Sequence, residues 1–274
     1  MGATTVLVEK IEPEFDQPQR NVRPGVLVWT IRVGLVMLLF GGWQIAAGSS
    51  QAIEIVISRP SAVGTTLARE FGSGGAWWGA LAITLRESAL GFVLGLASAV
   101  ALLVLTAPLW WVARFIGPFV AAANALPIVI MAPLFIVWFG ISLQSKVYFV
   151  AVAIFFILYY GLFTGIRSID PGLVDNARVL GARRLQLVRQ IYAPAALTWT
   201  IAGLRLSSAW SLLAAVVAEY LGSNAGIGYE IATAQQNLEV SVVIAGILAV
   251  ATVAVILDRA LIRLEQRFSR WRVF

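Results

Sequence analysis

"DNARVLGARRLQLVRQIYAP", residues 175–194, is a basic segment that lies between two apolar stretches. The stretches run near residues 147–166 and 197–221, and each holds the roughly 20 apolar residues that a helix needs to cross a bilayer. Of the chain's 274 residues, 59% are hydrophobic and 12% are charged, against about 45–50% and about 25% in soluble domains. The chain is therefore predicted to be an integral membrane protein, and residues 175–194 to lie in one of its loops.

This loop is predicted to form two short helices that are joined at a glycine. Asp170-Pro171-Gly172 is typical of a turn, after which Leu173–Leu180 has room for two helical turns. Gly181 permits a left-handed bend because it has no Cβ, and a second helix is predicted over about Arg183–Tyr192. Pro194 has no amide hydrogen to lose in the first turn of a helix, so it is expected to start the approach to the next span. The loop is thus a helix-bend-helix bracket that is joined stiffly to a membrane helix.

The first helix of the bracket has one apolar face, which is its predicted contact surface. Helical spacing places four residues on that face: Leu173, Val174, Ala177 and Leu180. The polar flanks of the face are Asp175, Asn176 and Arg178. An apolar face on a loop outside the membrane indicates a docking site.

Outward from the loop, four further apolar runs bring the number of predicted transmembrane helices to six. The fold class is therefore an all-α membrane protein. Its predicted spans lie near residues 27–47, 84–106, 115–139, 147–166, 197–221 and 240–260. The transmembrane domain, residues 27–260, contains the loop at 168–195 and is flanked by an N-terminal tail, 1–26, and a basic tail, 261–274. The first run is too long for the core of a signal peptide, so it is expected to be retained.

The positions of the basic residues give the predicted orientation. With the N-terminus inside, the cytoplasmic segments hold 14 Lys and Arg residues and the outer segments hold three. Cytoplasmic segments carry such an excess in membrane proteins, so both termini and the bracket are predicted to be cytoplasmic, in the cell (inner) membrane. The cytoplasmic set is Lys10, Arg20, Arg23, Arg114, Arg167, Arg178, Arg183, Arg184, Arg189, Arg259, Arg263, Arg267, Arg270 and Arg272, and the outer set is Arg59, Arg69 and Lys146.

Composition also excludes most enzyme chemistry. The chain has no cysteine and no histidine, which removes thiol nucleophiles, imidazole bases and the usual zinc and haem ligands. The net charge of +6 lies beside the spans, where orientation requires it, and does not indicate nucleic-acid binding. We therefore predict a protein that is not an enzyme, holds no metal and binds no cofactor itself.

The third predicted span has the features of a helix that lines a transport route. It contains Pro118, Pro127 and Pro133, each of which removes a backbone donor, so the helix should be kinked or locally opened. Asn124 lies among alanines, where it either lines a pathway or bonds to a neighbouring helix. The candidate pathway residues are Asn124, Trp138 and Trp210.

Small and charged residues in the other spans have simpler interpretations. Stripes at four-residue spacing favour close helix packing within one subunit, with a dimer interface or a moving surface as the alternative. They are Gly91, Gly95 and Ala99 in span two and Gly203, Ser207, Ser211 and Ala215 in span five. Snorkelling or mutual pairing is favoured over substrate contact for Arg86, Glu87 and Glu219, and Arg205 is expected to reach the cytoplasmic headgroups. In the outer segment, Pro60 should open a helix that the Gly/Ser cluster at 72–75 ends.

The bracket resembles the "EAA" loop of ATP-binding-cassette (ABC) importer permeases. That pattern is Glu-Ala-Ala, three residues, Gly, nine residues, Ile, one residue, Leu-Pro. Ala177, Gly181, Ile191 and Pro194 match it in register, whereas Asp175, Asn176 and Ala193 replace the usual Glu, Ala and Leu. The resemblance extends from "RPSAVGTTL" through "ALPIVIMAPLFIVWFGISLQSK" and "VVAEYLGSNAGIGYEI" to "RLEQRFSRW", and is to the nitrate, sulfonate and taurine branch.

The resemblance implies a fold, partners and site residues. The fold is the type I (MetI-like) importer permease with cytoplasmic termini, and a second permease copy, expected to be identical, completes the pore. Two ATPase subunits, which hold ATP and Mg²⁺, grip the loop, and an extracytoplasmic binding protein delivers a small anion such as a sulfonate, taurine or nitrate. The implied ATPase-coupling residues are Leu173, Val174, Asp175, Asn176, Ala177, Leu180, Gly181, Ala182, Ile191 and Pro194. The chain lacks the G-x-x-x-x-G-K-[ST] phosphate loop, so ATP hydrolysis is assigned to the partner.

Other interpretations remain open. The cargo can instead be a vitamin, a thiamine precursor or an aromatic acid. An ion-gradient-driven transporter would use polar groups such as Asn124 and Glu219, but it leaves the bracket unexplained. An intramembrane enzyme has few candidate catalysts in this composition. The arginines of the bracket also favour contact with the lipid bilayer, which is compatible with ATPase docking.

Overall fold

The computed structural model describes residues 26–106, 115, 117–122 and 127–268. Every regular element in these ranges is helical, which confirms the all-α class. The α-helices are α1 (Val26–Gly48), α2 (Gln51–Ile57), α3 (Pro60–Glu70), α4 (Trp77–Thr106), α5 (Ala132–Phe139), α6 (Leu143–Arg167), α7 (Pro171–Val179), α8 (Arg184–Leu187), α9 (Ala193–Gly222), α10 (Ile227–Gln236) and α11 (Val240–Phe268). A 3₁₀ turn, Ile128–Met131, precedes α5, and a π-helical turn, Val188–Tyr192, links α8 to α9.

Within the described ranges, five helical segments are long and apolar enough to cross a bilayer: α1, α4, α6, α8 continued into α9, and α11. They overlap five of the six predicted spans, although α4 begins at Trp77, seven residues before the predicted start at residue 84. The other predicted span, 115–139, includes residues outside the described ranges. Its described part holds residues 117–122 and a short apolar helix, Ile128–Phe139. Six spans and cytoplasmic termini therefore remain predictions.

The prolines of the third predicted span interrupt it as expected. Pro127 stands just before the 3₁₀ turn, and Pro133 lies in the first turn of α5, where its missing amide hydrogen costs no helical bond. After Pro127 the α-helical pattern resumes only at Ala132, so the segment between the two prolines is a 3₁₀ turn, in agreement with the predicted local opening. Asn124 lies outside the described residues.

α6 is the centre of the helix bundle. It packs against both α4 and α9 and buries side chains along its length, including Phe149, Ile154, Leu158 and Leu162. The stripe on α4 faces it, because a Cβ at Gly95 would lie 2.6 Å from the carbonyl oxygen of Ala151. On α9, Gly203 approaches Leu158, and Ser211 Oγ lies 2.9 Å from Ser88 Oγ on α4. The predicted packing of both stripes within one subunit is confirmed.

Gly95→Leu is expected to destabilise the bundle by about 3 kcal/mol or more, since a larger side chain must push α4 away from the α6 backbone. The measurement is the thermal unfolding midpoint of the detergent-solubilised protein. The matched control is Gly34→Leu on α1, where nothing lies within 4 Å of a built Cβ. An equal midpoint for the two variants would refute the close approach of α4 to α6.

A second cluster closes the end of the bundle at which α9 finishes. It is formed by α3, α4, α10 and α11, and its largest buried members are Trp77 and Ile227. α3 begins with Pro60 in its first turn and ends at Glu70, just before Gly72, as predicted. α2 was not predicted: Ser50 caps it by accepting a hydrogen bond from the Ile53 amide. We call this the far end of the bundle, because the bracket lies at the opposite end of α9.

Candidate functional site

The first half of the bracket is α7, a helix whose start is fixed by its own sequence. The Asp170 carboxylate accepts a 2.8 Å hydrogen bond from the Gly172 amide, and Pro171 takes the first helical position. The helix was predicted from Leu173, but α7 begins at Pro171, so Asp175 falls beyond the first turn. There its carboxylate pairs with the Arg178 guanidinium at 3.0 Å, with both side chains exposed. Such an exposed pair contributes little stability.

Gly181 ends α7 in a defined turn. Its φ is +86°, in the left-handed region, as the sequence predicted. The Gly181 amide donates to the Arg178 carbonyl at 2.9 Å, and the Ala182 amide donates to the Ala177 carbonyl at 3.0 Å. These two bonds form a Schellman motif, which satisfies carbonyl groups that a helix end leaves free. The bend is therefore a hydrogen-bonded corner with a fixed angle.

Gly181→Ala is expected to loosen this corner, because a Cβ at a left-handed φ costs roughly 1–2 kcal/mol. Amide hydrogen exchange across residues 171–192 should then be up to about tenfold faster. The same change at Gly79, which has open space around it and no left-handed φ, serves as the control. Unchanged exchange in Gly181→Ala would show that the corner does not depend on the glycine.

The second half of the bracket continues into α9 without a break in helical structure. α8 starts after Arg183, whose amide donates to the Gln186 side chain at 2.6 Å. Its last turn widens, and the Ala193 amide donates to the carbonyl of Val188, five residues back. A wider turn accommodates Pro194, which cannot donate to the preceding turn and whose ring would crowd it. The helix from Arg184 to Gly222 thus covers 39 residues, so the bracket is one end of a long rod.

The bracket divides its apolar residues between two sides. Val174 and Leu187 are buried, and Ala177, Ala182 and Ile191 are partly buried, so these residues face the protein itself. Leu173 and Leu180 are exposed, at 53% and 87%, so the predicted four-residue face is not one surface. The reason is that the predicted face spans more than one side of the helix, and its inner residues pack within the chain. Asp175, Asn176 and Pro194 are exposed.

Two exposed apolar residues beside the corner were missed by the sequence reading. Val179 is 86% exposed and Leu185 is 76% exposed. Together with Leu173 and Leu180 they form what we call the corner surface. Both are apolar residues within four positions of Gly181, but helical spacing alone assigned them to no face. Exposed apolar side chains on a loop that is predicted to lie outside the membrane are typical of a protein contact site.

Trp210 lines a cavity of ≈ 630 Å³ between α6, α9 and the 3₁₀ turn. Other walls of this cavity come from Pro127, Phe156, Tyr160 and Thr164, so it is mainly apolar and aromatic. Trp138 is 62% exposed and is not one of its lining residues. The structure thus does not bring the two predicted pathway tryptophans to one cavity.

A cluster of charged side chains lies buried near the far end of the bundle. Glu87 on α4, Lys146 on α6 and Glu219 on α9 are 3%, 2% and 1% exposed, and the three side chains lie close to one another. Arg86, Glu87 and Glu219 were predicted to snorkel or to pair with one another; the two glutamates are instead buried beside Lys146, whereas Arg86 is exposed. Lys146 Nζ also donates to the carbonyl oxygen of Ile141. A buried ion costs several kcal/mol unless a group of opposite charge lies beside it. Lys146 and the two glutamates are therefore expected to depend on one another for stability.

Glu219 is the most connected member of this charged cluster. Its Oε2 accepts hydrogen bonds from the Gly228 amide at 2.8 Å and from the Thr84 hydroxyl at 3.0 Å. Thr84 Oγ1 in turn accepts from the Ile227 amide at 3.0 Å. These amides are at the start of α10, where helical N–H groups lack partners and negative charge is favoured. A Cβ at Gly226 would collide with the Glu219 carboxylate, so glycine permits this approach.

A cavity of ≈ 490 Å³ lies beside the charged cluster at the far end, and we call it the far cavity. Glu87 and Lys146 lie in its wall, and Arg86, Ser142, Ser223 and Asn224 contribute the other polar groups. Arg205, which was expected to reach headgroups, lies in the other half of α9. There its Nε donates to the Asp258 carboxylate of α11 at 3.0 Å.

Three named transport proteins are similar in sequence to most of this chain. The chain is 32% identical over 244 residues to the aliphatic sulfonates transport permease protein SsuC of Bacillus subtilis (strain 168), which covers 89% of this chain and 88% of that protein. The SsuC protein of Escherichia coli (strain K12) is 29% identical over 90% of this chain and 92% of its own length. The riboflavin transport system permease protein RibX of Chloroflexus aurantiacus is 32% identical over 97% of this chain and 98% of its own length.

A family model covers most of the bundle as well. Residues 91–270, which include α6, the bracket, α9 and α10, match the model described as binding-protein-dependent transport system inner membrane component. Long apolar helices are what a membrane permease requires, and the relatives are named as permeases. The chain therefore belongs to the family of binding-protein-dependent transport system inner membrane components, the multi-pass permease subunits of ABC transporters.

Proposed function

We propose that the chain is the permease subunit of an ATP-driven importer and that the bracket couples it to separate ATPase subunits. The observation that carries this proposal is the corner surface, where Leu180, Val179 and Leu185 are 87%, 86% and 76% exposed. Because the orientation rule assigns this loop to the cytoplasm, these side chains face water or a protein there. Covering them with an apolar groove of the ATPase removes about 25 cal/mol per Å² of unfavourable hydration.

The mechanism uses the stiffness of the bracket. ATP-driven closure of two ATPase subunits pushes the corner surface, and the fixed angle at Gly181 passes the push to α8. Since α8, the π-helical turn and α9 form one helix, the movement tilts α9 rather than bending a loop. α9 packs against α6, so the two helices move together and open the pathway alternately to each side.

The pathway is proposed to form between this chain and a second, identical permease copy. In the described residues, the 630 Å³ cavity has no charged residue in its lining. A cavity of this kind passes a solute on without holding it tightly, and leaves selection to an extracytoplasmic binding protein. Trp210 is a proposed lining residue, and Trp138 and Asn124 remain candidates for the part of the pathway completed by the second copy.

The proposed cargo is a small anion such as a sulfonate, taurine or nitrate, because two relatives are named as aliphatic sulfonates permeases. A vitamin is the second candidate, since the relative named for riboflavin is equally identical and matches more of the chain. An ion-gradient-driven transporter is disfavoured because it needs no exposed apolar corner outside the membrane.

Isolation of the complex from its native membrane tests the proposal. A tagged chain should bring down an ABC ATPase and a second copy of itself, both identified by mass spectrometry. The solute held by the co-purified binding protein should distinguish an anion from a vitamin. A chain that purifies alone in mild detergent, and still transports after reconstitution alone, would refute coupling to an ATPase.

A further inference from the structure

We propose that Glu219 is a positioning residue that delivers the movement of the bracket to the far cavity. This inference rests on the proposed function, since it assumes that the bracket is pushed by an ATPase. It goes beyond that function by assigning a role to a buried charged group far from the docking surface. No contact with a transported solute is implied.

The bracket and Glu219 lie at opposite ends of one long helix. Glu219 lies in the last turn of α9, whose helix begins at Arg184 in the bracket. At 1.5 Å per residue the path from Arg184 to Glu219 is about 50 Å long. A tilt that starts at the corner surface therefore displaces the far end of α9 as well.

Glu219 connects the end of α9 to α4 and α10 by hydrogen bonds. Its Oε2 binds the Gly228 amide of α10 and the Thr84 hydroxyl of α4, and Thr84 binds the Ile227 amide. These bonds join α9, α10 and α4 at one atom, across the turn at residues 223–226. Without them the turn would absorb the displacement of α9, because only Ser223 makes side-chain bonds within it in the described structure.

Glu87 and Lys146 connect Glu219 to the far cavity. Glu87 and Lys146 interact with Glu219 and also lie in the wall of this cavity, and Ser223 lies in the wall next to the end of α9. Glu87 Oε2 and Glu219 Oε1 are buried without a hydrogen-bond partner, so the bonds that hold the Glu219 carboxylate in place are those of its Oε2 to Gly228 and Thr84. Because Glu87 and Lys146 lie beside this carboxylate and in the cavity wall, we expect the wall to move with the end of α9.

Cysteine labelling measures this coupling, because the natural chain contains no cysteine. Ser223→Cys is introduced into the complex with its ATPase in nanodiscs, and its rate of reaction with a membrane-impermeant maleimide is measured. We expect the rate to differ by about fivefold or more between the nucleotide-free and the ATP-trapped complex. Glu219→Gln, whose amide oxygen still accepts from Gly228 and Thr84, should keep this difference. Glu219→Leu should reduce it to less than about twofold while ATP hydrolysis continues.

The outcomes separate the inference from the proposed function. A folded Glu219→Leu complex with the full nucleotide response overturns the inference. If Glu219→Leu does not fold, Thr84→Val, which removes the bonds to Glu219 and Ile227, must reduce the response, and a full response there overturns it equally. No bound ATPase overturns the proposed function, whereas a bound ATPase with no nucleotide response in Ser223→Cys overturns the inference alone. Glu230→Gln on α10, outside the network, should behave as the unaltered chain.

Discussion

Leu180→Glu is expected to weaken binding of the ATPase at least about tenfold, because a charge must then be buried in an apolar contact. Leu180 is 87% exposed at the corner of the bracket, so the change removes no packing within the chain. The thermal unfolding midpoint should therefore stay within error of the unaltered protein. Binding is measured with the purified ATPase and the permease in nanodiscs, and ATP-driven uptake should fall in parallel.

The matched control is Leu238→Glu. Leu238 is similarly exposed, at 74%, but it lies in the turn between α10 and α11 at the far end of the bundle. ATPase binding should be unchanged in this variant. Equal loss of binding in both variants would indicate a general effect of added negative charge, and no loss in Leu180→Glu would show that the corner surface is not the docking site.

Lys146→Met is expected to lower the free energy of unfolding by about 3 kcal/mol, because it leaves Glu87 and Glu219 buried without their cation. Methionine has a similar length and apolar stem, so the change removes the charge with little loss of volume. The Ile141 carbonyl also loses its bond from the ammonium group. The measurement is the unfolding midpoint in mild detergent with increasing SDS.

A double variant tests whether charge balance is the cause. Lys146→Met with Glu87→Gln leaves one carboxylate, Glu219, which keeps its bonds to Gly228 and Thr84. We expect this pair of changes to recover more than half of the stability lost in Lys146→Met. If the double variant is less stable than Lys146→Met, the charge of Lys146 does not offset those of the two carboxylates.

The bracket was predictable because its signals are local. Pro171 and Gly181 act through their own backbone preferences, and the Schellman turn at Gly181 needs no partner from elsewhere in the chain. The direction in which α7 faces was not predictable, since it depends on which side packs against the rest of the protein. Leu180 and Val174 look alike in sequence, yet one is 87% exposed and the other is buried.

The charged cluster was only partly predictable for a related reason. Membrane helices are apolar on all sides, so hydropathy does not reveal which side faces the protein. Arg86 and Glu87 are neighbours, but a step of about 100° around α4 leaves the first exposed and buries the second. Lys146 was counted with the outer loop, and nothing in its local sequence shows that two carboxylates lie beside it on α4 and α9.

Uptake into proteoliposomes that contain the purified complex tests the central claim most directly. The solute is the one found on the co-purified binding protein, and ATP is supplied only on the side of the bracket. We predict uptake that requires ATP and the ATPase, is lost in Leu180→Glu and is retained in Leu238→Glu. Uptake that follows an imposed ion gradient without ATP, and that is unchanged in Leu180→Glu, would contradict the account.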